Sequence, residues 1–151
     1  MFRIRFFTPA VMNEEGWQHA GGELIVGGAR MCFLVDLTNW GIVDYQHQWR
    51  QGIARLLQGA PSTALMTAYR GPGDSAHTMW ALWREDAYVY VQEHSVLPAD
   101  LDSPFDPNEP YPHVGERIPA AEQGLPIPQW HVDIEHLHAA MLGIQPPKYL
   151  G

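Results

Sequence analysis

Cys32 is the single cysteine of the 151 residues, so no internal disulfide can form. It sits in the apolar run MCFLV, where a small buried hydrophobe is the expected role, and a reducing compartment suits it. No run approaches the ~20 apolar residues needed to cross a bilayer. The opening MFRIRFFTPAVMNEEGW also lacks the continuous apolar core of a signal peptide, so a membrane partner is not expected and the cytoplasm is the expected location. Basic residues are scarce as well. Nine Lys and Arg face seventeen Asp and Glu, for a formal charge of −8.

The scarcity is local. Between Glu85 and Glu116 there are eight acids, namely Glu85, Asp86, Glu93, Asp100, Asp102, Asp106, Glu109 and Glu116, and no Lys or Arg. Direct binding of nucleic acid is disfavoured, because cationic side chains hold the phosphate backbone. An acidic stretch instead stays solvated or complements a basic partner and steers its approach.

Glycine-rich segments occur at GGELIVGG and GPGDS, but neither has the GxxxxGK[ST] or GxGxxG spacing of a phosphate cradle. No GxSxG elbow is present, and a thiolate within an apolar strand would be disfavoured by desolvation. Eight histidines raise the question of a metal. His131, Glu135 and His138 are the best-spaced trio, yet a helix beginning only at Ile134 leaves His131 on the preceding strand. HExxH and cysteine ligand pairs are both missing, so neither a metal nor a cofactor is expected.

What is present is a globular composition, 46% hydrophobic and 11% aromatic, at a length that fits one domain and buries roughly 70% of the unfolded chain's surface. FRIRFF, GGELIVGG and ARMCFLVDL read as strands of an antiparallel meander, the last the expected central one. DYQHQWRQGIARLLQG carries Tyr45, Trp49, Ile53, Leu56 and Leu57 on one helical face. A helix over about 44–58 follows, with Asp44 near its start and Gly59 just past its end. Gly52 weakens the middle of that helix by roughly 1 kcal/mol relative to Ala unless it faces a sheet closely. STALMTAYR, HTMWALWRE and AYVYVQEHSVL read as strands joined by two hairpins. Trp80 and Trp83 fall on opposite faces, one expected in the core and the other against a helix or solvent. A proline-rich, acidic loop spans about 98–128, with room for a short strand at HVGERI; a connection this long is usually functional or mobile. The strand QWHV and a short helix over about 134–142 close an α+β chain.

The W-x₃-DY-x₂-QW-x₆-LL pattern, the strand STALMTAY, the pair WALWREDAYVYVQEHSVL and the closing WHVDIEHLHAAML together resemble immunity proteins of bacterial contact-dependent growth inhibition systems, over about residues 36–142. The resemblance implies a non-enzymatic protein that binds the C-terminal domain of a cognate toxin in the cytoplasm. It also implies that a basic nuclease is a frequent form of that toxin. Its shared residues are packing positions and carry no contacts over. From charge and loop position, Glu85, Asp86, Glu93, Asp100, Asp102, Asp106 and Glu109 are the expected partner-binding residues. Two other readings stand beside this one: a small metal-dependent hydrolase using the C-terminal histidines, and a ligand-binding or adaptor module.

Overall fold

A computed structural model describes residues 1–118 and 128–144. Its strands are β1 (Phe2–Phe6), β2 (Val11–Met12), β3 (Gln18–Val26), β4 (Ala29–Asp36), β5 (Ser62–Ala68), β6 (His77–Glu85), β7 (Tyr88–Val96) and β8 (Trp130–Asp133); its helices are α1 (Ile42–Leu57) and α2 (Glu135–Gly143). The α+β class, the two helices and both hairpins are as expected. The antiparallel strands divide between two four-stranded sheets, β1 to β4 in one and β5 to β8 in the other.

In the first sheet β3 is central. β4 takes one edge of β3, while β1 and β2 share the other, pairing with Gly22–Val26 and Gln18–His19 respectively. ARMCFLVDL is therefore an outer strand, contrary to the expectation from its apolar run. Alternation then decides which residues are covered: Phe33 turns inward, edge-on to Trp80 of the second sheet at 5.9 Å. Cys32 turns outward and is exposed, so it is not the buried hydrophobe the sequence suggested. Its neighbour across the strands on that outer face is Glu23, only 2% exposed between Arg5 and Arg30. The Arg30 guanidinium, seconded by Arg5, holds the Glu23 carboxyl below the usual carboxylate range against the opposing effect of desolvation.

α1 lies along the exposed edge of β5, and its sequence explains how. Tyr45, Gln48, Trp49, Gly52, Ile53 and Leu56 form one buried stripe at helical spacing. Asp44, the third helical residue, accepts the Gly41 N–H at 2.9 Å and satisfies one orphan donor of the first turn. At the other end Gly59, at φ +107°, and Ala60 donate back to Leu56 and Arg55 in a Schellman closure. In the middle, a methyl at Gly52 would stand 2.6 Å from the Ala64 carbonyl oxygen, so glycine permits the close approach. The Gly52 carbonyl in turn accepts the Thr63 hydroxyl at 2.7 Å.

Gln48 completes the joint as a substitute strand. Its amide donates to Ala64 O at 2.8 Å and accepts from Met66 N at 2.7 Å, using two ladder groups that β5 presents at its open edge. Trp49 Nε1 donates to Met66 O at 2.7 Å. Tyr45 is also fully buried; its hydroxyl donates to Asp36 O and accepts from Tyr69 N, and burial pushes its pKa up. No helix among the described residues is long and apolar enough to cross a membrane.

Candidate partner-binding interface

The second sheet buries Leu65, Trp80, Leu82, Val89, Val91 and Val132 in the core shared with the first sheet. Alternation then places Trp83, Tyr90, Gln92 and His94 on the outer face. The segment from Leu97 to Ile118 crosses this outer face and is pinned to it. Trp83 Nε1 donates to Gly115 O at 2.9 Å, so the second tryptophan of β6 meets the loop rather than a helix or solvent. Gln92, fully buried, donates to Ile118 O at 2.6 Å and accepts from Ile118 N at 3.3 Å. Phe105 stacks on His77 at 4.3 Å, and Tyr111 lies under the Arg55 guanidinium at 4.0 Å, its hydroxyl accepting from Gln48. HVGERI forms no strand; its backbone is held by these side chains instead.

The expected contact residues separate into groups. Asp100, Asp102, Asp106 and Glu109 are all exposed on the pinned loop. Asp106 also accepts the Asn108 N–H at 2.9 Å, which closes its own turn and leaves the second carboxylate oxygen outward. Asp86 is exposed at the tip of the β6–β7 hairpin with φ +55°. Glu85 is engaged inside the chain by Arg117 at 2.5 Å, and the same guanidinium covers Tyr90 at 4.1 Å. Glu93 does not join this face. Its neighbours Gln92 and His94 point to the loop side, so Glu93 points the other way, beside Trp80 and Trp130. Asp74, which was not among the expected residues, is exposed in the β5–β6 connection and lines a cleft together with Asp102. The signal available was its place in GPGDS, a turn that must project.

The histidine trio does not converge. His131 lies on β8 against Tyr88 and Tyr90, whereas Glu135 and His138 are exposed on α2. Among the described residues no three His, Cys, Asp or Glu side chains gather closely enough to hold a metal ion.

His77 is a titratable group whose ionisation this architecture alters. It is 1% exposed and accepts the Arg70 N–H through Nδ1 at 3.1 Å. Burial, and then the charge of Arg70, hold its pKa below the ordinary 6.5. The unfolded chain therefore binds a proton at a higher pH than the folded one, and stability falls as pH drops below about 6.5. Urea unfolding from pH 7 to pH 5 should lose up to about 1.4 kcal/mol per pH unit from this group. An NMR titration midpoint for His77 at or above 6.5 would contradict the assignment.

Two sheets sharing a core, a helix sealing one sheet edge and an acidic loop pinned across the second sheet define an α+β scaffold. Residues 35–140 match the model of the CdiI N-terminal domain, and the chain belongs to that family, the immunity proteins of contact-dependent growth inhibition. Its fold is similar to a chain of the CdiA-CT/CdiI toxin and immunity complex from Enterobacter cloacae. The TM-score is 0.84 at 22% identity, covering 95% of this chain and 98% of that one. No curated protein matches the chain by sequence.

Proposed function

We propose that the chain neutralises the toxin domain encoded beside it by laying the Leu97–Ile118 loop on a basic surface of that domain, with Asp100, Asp102, Asp106 and Glu109 as the principal contacts and Asp86 at the margin. The toxin is then a nuclease, whose phosphate-binding surface is the kind of basic patch these carboxylates match. Family membership supports the immunity role. The observation that carries the choice of surface is the loop itself: its carboxylates are exposed while Phe105, Gly115 and Ile118 are fastened to the sheet and Tyr111 to α1. A loop ordered before binding loses less conformational entropy when the partner arrives. Glu85 supports the surface through Arg117, and Glu93 lies outside it.

Co-expression tests the role directly. Cells producing the adjacent toxin domain should survive when this chain is present, and the two proteins should purify as a 1:1 complex. Neither rescue nor complex formation with that toxin would end this reading. A substrate assay on the purified toxin domain, with RNA and DNA, separately decides whether it is a nuclease.

A further inference from the structure

β4 closes one side of the first sheet, and among the described residues it pairs with β3 alone. Just beyond its end the Leu37 N–H donates to Gln18 O at 2.9 Å. Bonding in an antiparallel pair alternates, so Val35, Phe33, Met31 and Ala29 bond to β3, whereas Arg30, Cys32 and Leu34 turn their N–H and C=O groups to the open edge. The Asp36 carbonyl, next in that outward series, is taken by the Tyr45 hydroxyl. No backbone partner meets the other three among the described residues, and all three are exposed. Proteins commonly guard such an edge with lysine, proline or a bulge. Over its eight residues β4 has no proline and an unbroken register, and its one cation, Arg30, is held by Glu23.

The two sides of this edge differ in chemistry. On the outer face Cys32 and Leu34 border an apolar depression of about 500 Å³ together with Phe7 and Val11, and Leu34 is 58% exposed. On the inner side Met31 and Cys32 border a groove of about 290 Å³ in which Glu93 stands beside Trp80 and Trp130. Glu93 is exposed there and forms no ion pair among the described residues. An extended chain laid along β4 sends its side chains alternately to these two sides. Apolar side chains suit the outer one; a cation suits the inner one, where a carboxylate and indole rings receive it. A second copy of this chain does not supply that pattern, because the inward residues of its own β1 and β4 are the apolar Phe2, Ile4, Met31 and Phe33, already packed in its core. We infer that the open edge of β4 is a docking site for an extended strand of the toxin domain, which adds to the first sheet through the backbone groups of Arg30, Cys32 and Leu34 and places an Arg or Lys on Glu93. This rests on the immunity reading and adds a second contact to that of the loop, on the opposite face of the second sheet, where Glu93 gains a role that the loop surface does not give it.

Amide hydrogen exchange, read residue by residue by NMR, tests this in the free protein and in its complex with the adjacent toxin domain. In the free protein the Arg30, Cys32 and Leu34 amides should exchange fast and those of Met31 and Phe33 slowly. In the complex the first three should slow by roughly tenfold or more, an alternating pattern that contact with side chains alone does not produce. Cys32→Pro removes the central edge N–H at a position where the bonds to β3 are kept, and Glu93→Lys turns attraction of a cation into repulsion. Each should raise the rate of dissociation from the toxin domain roughly tenfold. Should Cys32→Pro lose its fold by circular dichroism, the exchange pattern and Glu93→Lys decide. A tight complex in which the Arg30, Cys32 and Leu34 amides exchange as they do in the free protein overturns the docking site and leaves the immunity reading standing, as does an unchanged dissociation rate in Glu93→Lys. Protection of those amides that rises with the concentration of the free protein assigns the edge to a second copy and equally overturns the inference. If the wild-type chain fails to bind the toxin domain at all, the docking site and the immunity reading fall together.

Discussion

Replacing Trp49 by alanine is expected to remove about 3–5 kcal/mol of unfolding free energy, a large part of the 5–15 kcal/mol typical of folded domains. The indole is fully buried and stacked on Phe6 at 4.9 Å with 25° between the rings. Its N–H fills the Met66 carbonyl. Truncation therefore opens a cavity at the meeting of β1, α1 and β5 and leaves a buried acceptor unpaired. Trp49→Phe should be milder, because it keeps a ring against Phe6 and loses mainly the hydrogen bond. Denaturant midpoints of the two variants measure the difference. A cost below 1 kcal/mol for Trp49→Ala would mean that α1 is not held to β5 as described.

The same helix shows how far the sequence could be read. Tyr45, Trp49, Ile53 and Leu56 announce its buried face by spacing alone, and Gly52, on that face, signals close contact. Gln48 does not announce itself, although it is fully buried on the same stripe. A glutamine reads as solvent-facing until a strand edge at the right distance turns its amide into a ladder partner, and that edge is a tertiary fact. Cys32 failed for a related reason. Hydrophobicity suggested burial, whereas position in the pleat sent the side chain outward alongside Glu23, and the apolar run concealed the alternation. Nor could strand patterns say that there are two sheets, since alternation identifies a buried face without naming what covers it. The acidic loop was visible as composition; its anchoring to the second sheet was not. Its anchors pair residues far apart in the chain, Trp83 with Gly115, Gln92 with Ile118 and His77 with Phe105. The prolines were the one local hint, because a chain with φ already fixed has less freedom to lose.

Reversing Asp100 and Asp102 to lysine, with Asp106→Asn to retain the Asx turn on Asn108, is expected to slow association with the toxin domain by tenfold or more at low salt. The dependence on position separates steering by the loop from a simple effect of net charge. Glu14 and Glu15 are exposed in the turn between β2 and β3, in the first sheet. That turn belongs to the first sheet, whereas the loop is pinned to the outer face of the second. Glu14→Lys with Glu15→Lys thus reverses two charges while leaving the loop intact. Raising the salt shortens the Debye length from about 30 Å at 0.01 M to about 8 Å at 0.15 M. The wild-type association rate should fall over that range and converge towards that of the loop variant, whose own rate should change little. If the Glu14/Glu15 variant slows association as much as the loop variant does, overall charge draws the toxin in and the loop has no directing role. Loss confined to the loop variant at low salt instead locates the encounter at the Asp100–Asp106 surface.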